Sequence, residues 1–136
     1  VSNLIIYDAI SEEIELQLDT LKKLSVAGDR HIYANCIYET GRLYGVLDNW
    51  EKANTYYRDA LRLFSSLQDS PGIAKSRESL GNVLLFQGSL EKGMSELAQT
   101  CKLYQQLGQA ETAQNVDNIY QSVKQVLEQV KSEVLA

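Results

Sequence analysis

His31 is the one histidine in the chain, and imidazole is the side chain whose ordinary pKa lets it carry a proton back and forth near neutral pH. Acid–base chemistry built on it needs a nucleophile, a second base or a metal converging on the same point. The sequence has no glycine-rich phosphate loop, no nucleophile elbow and no ligands at metal-binding spacing. His31 falls at a helix start and reads as an exposed loop residue. Glu12-Glu13 are adjacent carboxylates of the kind used for acid and base steps, but near a helix start they complement the macrodipole and need no further role. Cys36 and Cys101 stand far apart, both on apolar helix faces, and are expected as two buried free thiols. Gly41 and Gly45 have the small-x3-small spacing of membrane helix interfaces. Arg42 lies between them and no long apolar run surrounds them, so that use is excluded. No enzyme activity and no cofactor are expected from these residues.

The elements that carry them follow from composition and periodicity. The 136 residues are 44% hydrophobic and 23% charged with one proline, Pro71, which points to one compact folded domain. Leu, Ala, Glu, Gln and Lys are abundant, and they lose little side-chain freedom in a helix. An all-α fold is the expectation. A net charge of -5 argues against nucleic acid as the main ligand, because that binding rests on clustered Lys and Arg. No signal peptide and no apolar run of about 18 to 20 residues is present, so neither a membrane partner nor a membrane span is expected, and a cytoplasmic protein is. The chain opens on Val1 and reads as a piece of a longer one.

A repeat organises the whole length. Trp50 and Leu90, Glu51 and Glu91, Lys52 and Lys92, Leu61 and Cys101, Phe64 and Tyr104, and Leu67 and Leu107 are each separated by 40 positions, as are Gly41 and Gly81. The same offset run backwards finds Ile10, Leu21, Leu24 and Ala27. Within 49–67 the apolar residues Trp50, Ala53, Tyr57, Ala60, Leu61, Phe64 and Leu67 recur in steps of three and four, forming one helical stripe. Asp48-Asn49 and Gly88-Ser89 offer N-caps after a turn, and Pro71 suits a first helical turn. Gly28-Asp29 and Gly108 mark the equivalent breaks. These signals predict six helices over 3–26, 30–47, 49–67, 71–87, 89–107 and 110–134, antiparallel in sequence because the loops are short. The single domain 1–136 divides into a partial unit 1–27, units 28–67 and 68–107, and a partial or capping unit 108–136.

Gly41-Arg42-Leu43-Tyr44 and Ala53-Asn54-Thr55-Tyr56-Tyr57 match the Gly-x2-Tyr and Ala-x3-aromatic pattern of the tetratricopeptide repeat (TPR), and Leu80-Gly81-Asn82 opens a more degenerate copy. The chain therefore resembles that family in its long, about 40-residue variety. The resemblance implies a right-handed superhelical stack of antiparallel helix hairpins, an α-solenoid, in which Gly41 and Gly81 allow close helix approach. It also implies a concave groove lined by the second, fifth and ninth positions of each first helix. Counted from Ala34, Ala74 and Ala113, those are Asn35, Tyr38 and Arg42, then Lys75, Glu78 and Asn82, then Gln114, Asp117 and Gln121. Tyr38 and Gln114 stand where two lysines of a carboxylate clamp belong, so a chaperone-tail binder is disfavoured.

The expected function is a protein-interaction scaffold that holds a partner protein or peptide in this groove. The alternative is a regulatory sensor module of a larger signalling protein, with an ATPase, kinase or transcription-regulator domain elsewhere. The last helix carries a continuous stripe of Val116, Ile119, Val123, Val126, Val130 and Val134, joined by Tyr120 and Leu127. Such a stripe predicts weak homodimerisation or an ordinary capping role.

Overall fold

Every twenty residues the backbone enters the left-handed region, at Gly28, Asp48, Gln68, Gly88 and Gly108 with φ between 55° and 94°. These five turns separate six helices. In the computed structural model, which describes the backbone of residues 2–135 and the side chains of residues 4–24 and 28–135, they are α1 (Ser2–Ala27), α2 (Arg30–Val46), α3 (Trp50–Ser66), α4 (Ser70–Phe86), α5 (Leu90–Gln106) and α6 (Ala110–Leu135). The described residues form no strand. Helices α2 to α5 are each 17 residues long, while α1 and α6 reach 26.

Four of the turns share one hydrogen-bond pattern. Past α2, the N–H of Asn49 donates to the Tyr44 carbonyl at 2.9 Å and that of Asp48 to the Gly45 carbonyl at 3.0 Å. The pattern recurs from Asp69 to Phe64, from Ser89 to Leu84 and from Gln109 to Tyr104. This is the Schellman motif, which satisfies the last carbonyls of a helix by placing one residue in the left-handed region. The residue after it at once caps the next helix. Asn49 accepts from the Lys52 N–H at 3.2 Å, and Asp69 from that of Gly72 at 3.0 Å; Asp29 accepts from Ile32 at 3.1 Å. Ser89 holds the equivalent place without a side-chain bond.

Each helix packs against the next, and α2 also touches α4. The result is an all-α stack of repeated hairpins, with three clusters of buried residues between α2 and the first half of α6. One cluster joins Ala34, Ile37, Ala60 and Phe64, a second Ala53, Tyr57, Leu80, Val83 and Leu84, a third Ala74, Leu97, Tyr104, Ala113 and Val116. The glycine expectation holds in both units: a Cβ on Gly41 would lie 3.0 Å from the Tyr57 ring, and one on Gly81 3.0 Å from Leu97, a residue 40 positions on. Helices α4 and α5 are also tied by an Arg77–Glu96 ion pair at 3.0 Å that is largely shielded from water.

Several sequence expectations need correction. Of the stripe within 49–67, expected to be buried, Trp50, Leu61 and Leu67 are half-buried, because the stripe is wider than the strip of helix in contact. The side chain of Ala27 lies outside the described residues. Cys101 is half-buried and only Cys36 is buried, both as free thiols. Glu12 and Glu13 lie in the third turn of α1, beyond reach of its N-terminal dipole, which acts within the first turn; Glu13 accepts a bond from Gln17. Along α6, Val116 is buried, whereas Val126, Val130 and Val134 are exposed.

Candidate partner-binding surface

Positions 40 apart on α2 and α4 come together in space. Lys75 Nζ donates to Asn35 Oδ1 at 2.7 Å, and the Asn35 amide nitrogen donates to the His31 carbonyl at 2.9 Å, which fixes the amide orientation. The same ammonium lies 4.6 Å from the centroid of Tyr38 and 5.3 Å from that of Phe64, within the range of cation–π attraction. Tyr38 in turn shares a 2.9 Å hydrogen bond with Ser79 Oγ and packs tilted on Tyr57 at 5.4 Å. Three of the nine predicted residues, Asn35, Tyr38 and Lys75, thus form one cluster.

The other six are spread around it. Arg42 is exposed and pairs with Glu39 on its own helix, Nε to Oε2 at 3.0 Å; that bond, more than any other influence, holds its pKa up. Glu78 accepts at 2.8 Å from the Tyr104 hydroxyl, which comes from α5. Asn82 is half-buried. On α6, Gln114 donates to Asn118 at 2.9 Å, Asp117 is half-buried and Gln121 is exposed.

Lys75 is absent from the ion pairs of the described residues. Its neighbours are a neutral amide and two rings, so its charge keeps the capacity to meet an incoming carboxylate or carbonyl. Ser79 and Glu39 are site residues that position counting misses. Glu39 was readable, since opposite charges three apart on a helix pair. Ser79 was not, because it depends on where the Tyr38 hydroxyl ends up.

Cys36, Tyr57 and Tyr104 are held in their neutral forms. Burial pushes the Cys36 thiol up, with Glu39 adding to it, and the thiol donates to Gln17 Oε1 at 2.9 Å; this is the opposite of an activated thiolate. Burial also raises Tyr104, helped by its bond to the Glu78 carboxylate. Tyr57 is pushed up to about 12, first by burial and then by Tyr38. An unfolded tyrosine ionises near pH 10, so above about pH 10 the unfolded chain has lost a proton that native Tyr57 keeps. The stability this residue contributes is complete below that pH and is lost as pH rises towards about 12, a fall on the order of 2 kcal/mol. Urea midpoints measured across this interval should drop, and drop less in Tyr57→Phe. Equal slopes in the two proteins would place the Tyr57 hydroxyl in water.

No group of three or more His, Cys, Asp or Glu side chains among the described residues is arranged to hold a metal ion, and no helix among them is long and apolar enough to cross a membrane. Fold and surface together define an all-α helical repeat stack with a mixed polar and aromatic cluster on its first helices. No family model matches the chain, and no curated protein matches it.

Proposed function

We propose that this chain is a non-enzymatic interaction module, a scaffold of the tetratricopeptide kind, that holds a partner protein or peptide along the face of α2, α4 and α6. The observation that carries the reading is Lys75: a cation oriented by Asn35 and Tyr38, one repeat apart, with no carboxylate partner among the described residues. Orienting a charged side chain costs entropy, and the repeat packing alone does not require it. Asn82, at the ninth position of its unit, adds an amide able both to donate to and to accept from an extended backbone. Two cysteines that remain free thiols fit a reducing compartment such as the cytosol.

The test is a peptide selected from a displayed library on the purified chain, then titrated against variants. Arg42→Ala, Lys75→Ala and Asn82→Ala should each weaken binding roughly three- to tenfold, the loss of a hydrogen bond or a screened charge contact. For the exposed Arg42, unfolding should shift by no more than about 0.5 kcal/mol. Binding that survives all three changes and fails on Arg58→Ala would move the site to the opposite face.

The α6 stripe supports weak self-association besides. Val126 and Val130 are 57% and 49% exposed on a helix that runs nine residues beyond the length of α2 and α4, and water contact along such a row is unfavourable. Light scattering over a concentration series should show mass rising above the monomer, and Val126→Glu with Val130→Glu should abolish the rise. A monomeric mass throughout for the unaltered chain would leave α6 as a cap.

A further inference from the structure

A large hollow lies away from the Lys75 cluster. It is a cleft of about 860 Å³ between α1 and the turn joining α2 to α3, a size within the usual range for ligand sites. Tyr7, Tyr44 and Trp50 supply its aromatic surface, and Glu15, Asp48 and Glu51 its charges. No Lys, Arg or His is among its lining residues. None of the three carboxylates takes part in an ion pair among the described residues. Lys52 stands nearby, its ammonium 5.5 Å over the Tyr44 ring. One face of Trp50 is stacked on Phe86 at 4.7 Å, and the indole still borders the cleft.

Packing does not account for this combination, and the repeat itself supplies the control. One period on, Tyr7, Tyr44 and Trp50 become Leu47, Leu84 and Leu90, while Glu15 and Asp48 become Thr55 and Gly88; only Glu51 keeps its type, as Glu91. The stack there needs apolar bulk and nothing more. The hollow of about 400 Å³ beside the α4–α5 turn opens towards Leu127 of α6, and Lys92 is in its wall. Aromatic faces beside unpaired carboxylates with no cation in the lining are therefore a feature of this cleft and not a demand of the repeat. Aromatic faces and carboxylates attract the same ligand, a flat or diffuse cation: the guanidinium forks onto carboxylates and stacks on rings.

We propose that this cleft is a second binding site, which takes an arginine-bearing segment of a partner protein with its guanidinium between Trp50 and the carboxylates of Glu15, Asp48 and Glu51. Charge complementarity selects the occupant. The cleft carries three carboxylates and no cation in its lining, and its volume admits a short stretch of chain together with the arginine.

Trp50 is the single tryptophan, so the wall of the cleft reports its own occupancy. The probe is an acetylated, amidated peptide alternating Leu and Arg, compared with one in which citrulline, neutral and of the same shape, replaces each Arg. The expected result is a saturable change in Trp50 emission with the arginine peptide, at least about tenfold weaker binding of the citrulline peptide, and weakening by added salt. The variant Glu15→Gln, Asp48→Asn, Glu51→Gln should lose a similar factor. Asn is at home in the left-handed backbone of position 48, and an unchanged helical circular dichroism spectrum checks that the fold survives. The exposed Tyr7→Ala gives an independent second reading and should weaken binding severalfold. Lys75→Ala should leave this binding unchanged, which separates the cleft from the α2–α4 surface. Equal affinity for the two peptides, no emission change at millimolar peptide, or full binding by the carboxylate variant would each overturn the proposal.

Discussion

Phe64→Ala should lower the stability of the chain by about 3 to 5 kcal/mol, the range for emptying a fully buried aromatic site. Phe64 is 0% exposed and belongs to the cluster that joins α2 and α3 through Ala34, Ile37 and Ala60, with Ile73 of α4 packed against it. Ala34 and Ala60 have no rotamer with which to fill the space, so any collapse falls to longer neighbours such as Ile37 and Ile73. A domain of this size has about 5 to 15 kcal/mol in total. The loss also falls at one place in a stack whose units are stabilised mainly by their neighbours. Urea unfolding of Phe64→Ala should therefore show both a lower midpoint and a broader transition, with Trp50 fluorescence changing before the helical signal. A single sharp transition with both signals coincident at the original midpoint would mean that Phe64 is not a keystone between units.

Phe64 was readable as core from the sequence because it lies on a helical stripe and recurs as Tyr104 at an offset of 40. The same logic gave six helices with every end within one residue of that observed, since caps and turn residues are local signals. Local signals reach no further than the hairpin. Asp48 and Gln68 occupy left-handed positions that glycine holds in the other turns, and a type-based reading of turns does not predict a glutamine there. Leu61 shows a second limit: it sits on the apolar stripe yet only edges the cluster around Tyr57 and Leu80, because a stripe does not tell how wide the contact is. Its truncation should cost less than that of Tyr57. The nine surface positions were placed by counting, which put Asn35 and Lys75 at the same position of successive units; that the two side chains meet is seen only in the structure. The cleft beside Trp50 escaped it, since its opening depends on how α1 lies across α2, and no residue type encodes that angle.

Gly72→Ala should be destabilising although it replaces a poor helix former with the best one. On propensity alone the change in a helix would stabilise by up to about 1 kcal/mol. The added Cβ would stand 2.3 Å from Phe64 Cδ1, 2.5 Å from Cγ and 2.7 Å from Cε1, where carbon atoms at rest sit about 3.5 to 4.0 Å apart. The obstacle is the middle of a ring wedged among three helices, so relief requires the ring or α4 to move by about an ångström. Overpacking of this kind costs about 1 to 3 kcal/mol, which outweighs the propensity gain. The preceding unit does not foretell this, because the equivalent of Gly72 there is Ile32; a large residue is accepted at 32, where it is exposed. The cause is the Phe64 ring itself, which makes the two changes interact. Made in the Phe64→Ala background, Gly72→Ala loses its obstacle, partly fills the cavity and should become neutral or stabilising. The coupling between the two, measured by a double-mutant cycle in urea, should reach about 1 to 3 kcal/mol. Additive effects would show that the ring does not occupy the space above residue 72.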